Sequence, residues 1–135
     1  MALLTWNDSY SVKIKDIDLQ HQKLIDLINE LHDGMKSGQG SAVLGKILNE
    51  LVNYTKFHFA FEEKLFEKYV YPDARTHKRE HEDLVKQVLD YKESFDAGKS
   101  VLTIDIMNFL RDWLTKHISG SDKKYTPFFT SKGLA

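Results

Sequence analysis

The sequence predicts an all-α protein: an up-down-up-down antiparallel four-helix bundle with an N-terminal arm and a short C-terminal tail. Three observations carry this prediction. Apolar residues recur at helical intervals from about residue 18 to residue 120, β-type alternation is scarce, and the chain has only two prolines, Pro72 and Pro127. At 135 residues it suits one domain, residues 1–135, built around one core.

The first helix is expected over 18–37. Leu24, Ile25, Ile28, Leu31 and Met35 line one face, Asp16 or Asp18 offers a cap, and "SGQG" ends the helix. The second is expected over 41–69, with Leu44, Ile47, Leu48, Leu51, Tyr54 and Thr55 sharing a face. It must stop before Pro72, which disfavours a helical conformation at Tyr71. The third, over 73–96, turns Leu84, Val88, Tyr91 and Phe95 inward and ends at "AGKS". The fourth, over 102–120, carries Ile106, Phe109, Leu110, Trp113 and Leu114, with Gly120 weakening its end. Trp6 and Tyr10 are the expected anchors of the arm. Tyr125, Phe128 and Phe129 in the tail "KYTPFFTSKGLA" are expected to pack against the bundle.

Composition removes several classes of function. A formal charge of −1 gives no basic field for nucleic acid or anionic lipid. No apolar run approaches the roughly 18 residues of a membrane span, and the N-terminus lacks the pattern of a secretory signal, so a cytoplasmic protein is expected. With no cysteine, disulfides and thiolate metal sites are excluded. Any metal must be held by His, Asp or Glu.

The six histidines are not scattered. In an antiparallel bundle His21, His58, His77, His81 and His117 all fall at one end, each on the apolar face of its helix. Glu62 follows His58 by one turn and Asp122 follows His117 by five residues. Seven such groups in an apolar interior would lose hydration without partners, and a cation resolves that cost. His32, about 16 Å further along the first helix than His21, cannot join them and is taken as structural.

"THKREHE" at 76–82 also fits H-x-x-E-H, an inverted zinc-protease pattern. Glu80, however, is turned about 100° from His81 and belongs with Lys78 and Arg79 on the solvated face. Seven donors also exceed what one zinc takes. Two octahedral metals use them better: Glu62 and Asp122 bridge both metals along with a solvent-derived oxygen, three histidines complete one metal, and two leave the other with an open position. Mixed imidazole and carboxylate ligation suits iron, while affinity order alone would also permit cobalt, nickel, copper or zinc. Five residues of regular helix would leave Asp122 some 140° from His117, so a π-type bulge or irregular turn is expected at 119–121.

In "IDLQHQKL", "HFAFEEKLF", "HKREH" and "WLTKHISGSDKKY" the chain resembles the hemerythrins, in particular the single-domain bacteriohemerythrins, over essentially its whole length. The resemblance implies two non-haem iron ions with a bridging oxo or hydroxo group and O2 as ligand. His77, His81 and His117 would hold the saturated iron and His21 and His58 the open one, with Glu62 and Asp122 as bridges. It further implies an O2 pocket of Leu24, Phe59, Trp113, Leu114 and Ile118, and Gly120 stands where animal members carry another pocket leucine. The expected function is reversible O2 binding, without catalytic residues, for storage or delivery to an oxygen-requiring enzyme. The same centre could also serve a redox enzyme acting on iron, peroxide or nitric oxide, or an O2 or redox sensor. Oligomeric state stays open.

Overall fold

Four long helices, each burying one stripe of side chains against the others, make the framework. The computed structural model describes residues 4–38, 40–97 and 103–135. Helix α1 spans Lys15–Lys36, α2 Gly40–Tyr69, α3 Ala74–Asp96 and α4 Thr103–Lys116. A π-helical turn, His117–Asp122, continues α4 directly into α5, Lys123–Ser131. Among the described residues there is no strand, and no helix is long and apolar enough to cross a membrane. Gln39 and residues 98–102, which hold parts of two expected helix ends and the expected start of the fourth helix, lie outside the described residues.

The main core draws on all four helices: Leu24, Ile28 and Leu31 of α1, Leu44, Leu48 and Leu51 of α2, Leu84 and Val88 of α3, and Ile106, Leu110 and Leu114 of α4. Each such side chain contributes about 1.5–3 kcal/mol through its removal from water. A second, smaller core closes one end. There Val12 and Ile14 of the arm and Ile17 of α1 meet Phe66, Tyr71, Tyr125 and Phe129.

Helix α1 begins at Lys15, three residues before the expected start. Asp18 is therefore inside the helix, and its carboxylate accepts from Val12 N–H at 2.9 Å and from the Ser11 hydroxyl at 2.6 Å, tying down the arm. Trp6 and Tyr10 do pack on the main core, but only partly buried; Leu4, Val12 and Ile14 are the deeper anchors. Leu4 also exchanges two 2.8 Å hydrogen bonds with the Asn29 side chain.

The C-terminal tail, expected only to pack against the bundle, is helical over Lys123–Ser131. Pro127 supplies no N–H and reads as a helix breaker, yet it sits on the exposed face of α5. Complete burial of Tyr125 and Phe129, one turn apart, outweighs the lost bond.

Candidate metal centre

Between the two cores lies a layer of polar side chains. His21 comes from α1, His58 and Glu62 from α2, His77 and His81 from α3, and His117 and Asp122 from the π turn. None is more than 4% exposed. His32 is only partly buried and lies apart from them.

The spacing of each pair follows from its helix. His58 with Glu62, and His77 with His81, are four apart and share a face of regular α-helix. His117 and Asp122 are five apart, and the π turn absorbs the extra residue, bringing His117 Nε2 and Asp122 Oδ1 to 3.0 Å. The bulge expected from the spacing is therefore present, over a slightly longer segment. Gly120 within it is exposed, and a side chain there would point into open space rather than toward a pocket.

All five histidines aim Nε2 at the two carboxylates. His21 lies 3.0 Å from Asp122 Oδ2 and His77 2.8 Å from Asp122 Oδ1; His58 and His81 lie 3.4 and 3.2 Å from Glu62 Oε1. These distances are short, but the groups do not point at one another as hydrogen-bond partners. Nε2 of His21, His77, His81 and His117, Glu62 Oε1 and both Asp122 oxygens remain buried and unpaired. Buried polar atoms are rarely left so. Here their donors fall into two groups: Glu62, His77, His81, His117 and Asp122, and His21, His58, Glu62 and Asp122. Each group could hold one cation, and both carboxylates belong to both groups.

Electrostatics mark the same need for positive charge. Burial pushes Asp122 up, but His117 and the neighbouring histidines overcome it and hold the carboxyl well below its usual range. Burial and Asp122 push Glu62 up as well, yet His58 and His81 bring it down to about 2. Burial opposes charge on His117, but Asp122 holds it protonated, up at about 9. His58 is dominated by burial and falls to about 4. Without metal, the cluster keeps its carboxylates ionised by drawing a proton onto His117.

Surrounding rings and outer partners fix the imidazoles. Phe59 stacks on His81 at 3.7 Å between ring centres and Trp113 stacks on His117 at 4.4 Å. Gln20 Oε1 lies 2.6 Å from His58 Nδ1, and Glu63 Oε2 lies 3.0 Å from His81 Nδ1. Glu80 stays 40% exposed beside Lys78 and Arg79, as expected, but its carboxylate also faces the cluster. It accepts from the Ser121 hydroxyl at 2.6 Å and stands 3.6 Å from His117 Nδ1, because the π turn brings Ser121 against α3. The Tyr125 hydroxyl donates to Glu62 Oε2. Sequence reasoning missed all four of these partners. Only Tyr125, three residues beyond Asp122, carried a signal.

A cavity of about 20 Å³ is walled by both histidines of the smaller group, His21 and His58, by His117 of the larger one, and by Leu24, Phe59, Trp113 and Leu114 among others. Four of the five expected pocket residues line it. Ile118 does not; it is fully buried but one position past His117, and so turned away around the helix axis. Thr55, Leu51, Leu84, Val88 and Leu110 complete more of the wall.

Comparison with known proteins agrees with this geometry. The family model "Hemerythrin HHE cation binding domain" matches residues 12–129. Bacteriohemerythrin of Stenotrophomonas maltophilia (strain R551-3) is 42% identical over 125 residues, covering 93% of this chain and 80% of that protein. Bacteriohemerythrin of Methylococcus capsulatus (strain ATCC 33009 / NCIMB 11132 / Bath) is 38% identical over 128 residues, covering 94% and 97%. A crystal structure of wild-type hemerythrin matches with a TM-score of 0.86 at 37% identity, covering 93% of this chain and 97% of that chain. The chain thus belongs to the hemerythrin family, and its buried His, Glu and Asp cluster fits a non-haem di-iron centre.

Proposed function

We propose that the seven buried donors hold two iron ions and that the protein binds O2 reversibly, for storage or for delivery to an oxygen-consuming enzyme. The observation that carries this reading is the inequality of the two donor groups beside an apolar cavity. Glu62 and Asp122 serve both metal positions, with an oxo or hydroxo bridge expected between them. His77, His81 and His117 complete one position; His21 and His58 leave the other with one donor fewer.

The cavity touches both histidines of that less crowded group and only His117 of the other, which favours the first as the ligand side. A volume of about 20 Å³ exceeds the roughly 10–15 Å³ needed for one water-sized molecule and is too small for an organic substrate, which confines the ligand to a molecule of a few atoms. Leu24, Leu114, Phe59 and Trp113 make the wall largely apolar, so water and anions gain little by entering. The Thr55 hydroxyl on that wall is committed to the Leu51 carbonyl at 2.6 Å. When bound, the iron pair supplies the electrons with which O2 is held. Five neutral imidazoles with only two carboxylates make a weakly anionic donor set, which favours giving those electrons back.

An optical spectrum of the iron-loaded, anaerobically reduced protein tests the reading. A visible charge-transfer band should appear with O2 and vanish when O2 is removed. Irreversible conversion to a diferric product would exclude a carrier.

A further inference from the structure

The outer nitrogens of the histidines meet two kinds of environment. In the group containing His77, His81 and His117, two carboxylates stand behind the rings: Glu63 Oε2 is 3.0 Å from His81 Nδ1, and Glu80 Oε1 is 3.6 Å from His117 Nδ1, where it acts by charge and makes no hydrogen bond. Both are held in place. Lys78 Nζ lies 3.9 Å from Glu63 Oε1, and the Ser121 hydroxyl reaches both Glu80 oxygens, at 2.6 and 2.8 Å. In the other group the partner is uncharged: His58 Nδ1 meets the Gln20 amide oxygen at 2.6 Å, and His21 Nδ1 is buried with none.

An imidazole that donates its Nδ1 proton to a carboxylate becomes the more basic donor at Nε2, and outer partners of this kind tune a metal measurably. An amide oxygen accepts the same bond without bringing a negative charge. Glu62 and Asp122 serve both groups and cannot distinguish them. The difference between the halves must come from histidine number and from what stands behind each ring. Both bias the same way, toward higher positive charge on the three-histidine side.

We propose that Glu63 and Glu80 are positioning residues that divide the cluster by charge, so that the half with His77, His81 and His117 favours trivalent iron and the half with His21 and His58 favours divalent iron. The proposal rests on the reading of the cluster as an iron pair. In a one-electron oxidation of the reduced protein by ferricyanide, the electron leaves the three-histidine half, no covalent bond breaks, and the His81 proton stays within its hydrogen bond to Glu63. The half facing the cavity is then the last to lose its divalent ion.

The test is a ferricyanide titration of the reduced, iron-loaded protein, followed optically and by electron paramagnetic resonance, in wild type, Glu63→Gln, Glu80→Gln and Gln20→Glu. Losing an outer partner weakens metal binding by roughly 10–100-fold. Expressed in the trivalent state alone at about 59 mV per tenfold, this raises the first one-electron potential by about 60–120 mV in Glu63→Gln. Glu80→Gln, longer in its contact and more exposed, should shift the same potential less, and Gln20→Glu should lower the second potential and narrow the gap between the two steps. Iron should stay at two per chain and helicity unchanged, since both Glu→Gln changes are nearly isosteric. If both glutamate variants hold two irons with wild-type potentials, the proposal is overturned while the iron pair stands. Failure of wild type itself to hold two irons would defeat the underlying reading instead.

Discussion

The hydroxyl of Tyr125 donates to Glu62, so helix α5 anchors one of the two carboxylates that both donor groups share. The phenol is fully buried, and burial together with Asp122 and Glu62 pushes its pKa well above the ordinary value, so it remains a donor throughout the working pH range. Tyr125→Phe removes one hydrogen bond to a charged group, a loss of about 1.5–3 kcal/mol. Urea denaturation should show this loss, and iron should pass to a chelator faster than from wild type. Unchanged release would mean that Glu62 is fixed without Tyr125.

Donor and wall residues should separate in their effects. His77→Ala removes one of three imidazoles from its group and should lower iron content by elemental analysis. Leu114→Ala, at a cavity wall 5% exposed, should keep the iron while costing roughly 2–5 kcal/mol of stability. Oxidation of its O2-bound form should be faster, because the enlarged cavity admits water. Equal iron loss in both variants would contradict the wall assignment.

In the metal-free protein, stability should peak near pH 6.5. His117, at about 9 when folded against 6.5 ordinarily, holds a proton that the unfolded chain releases; its contribution is complete below pH 6.5 and disappears as pH rises through 9. His58, down at about 4, refuses a proton that the unfolded chain accepts, so stability also falls from pH 6.5 toward 4. Glu62, down at about 2 from 4.5, adds a further loss as pH drops through that interval. Metal on His117 displaces its proton. Urea midpoints from pH 5 to 9 should therefore decline above 6.5 with chelator present and stay level with iron. A flat metal-free profile above 6.5 would remove His117 as the proton holder.

Val70 ends α2 with φ at 55°, a left-handed conformation unfavourable for a β-branched residue. Tyr71 N–H donates to Phe66 O at 2.9 Å across this turn, the closure usually made with glycine at the left-handed position. The Val70 side chain is 80% exposed and has little packing to lose. Val70→Gly relieves roughly 1–2 kcal/mol of backbone strain and gives back about 0.5–1 in unfolded-state freedom. A gain of up to about 1 kcal/mol in denaturation experiments is expected, with iron content unchanged.

The donors were legible in the sequence because each shares the helical phase of core residues that can be recognised independently, as His21 does with Leu24 and Ile28. The turn at His117–Asp122 was legible for a different reason: a five-residue step cannot close on one face without an extra residue. The partners behind the rings were not legible. Glu63 and Glu80 look like ordinary solvated charges along their own helices, and only the rotation of α3 against α2 and the π turn gives them histidines to face. Helix α5 was not among the expected elements; it is short and holds Pro127, and the burial of Tyr125 and Phe129 supports it.

The donors come from α1, α2, α3 and the π turn, and every one is buried. No single helix can fray and set an ion free, because withdrawing any one leaves a bound ion with donors on the others. Exchange of metal with solution is therefore paced by separation of the bundle, and above a modest chelator concentration the rate of iron loss should follow the rate of unfolding rather than the strength of the competitor.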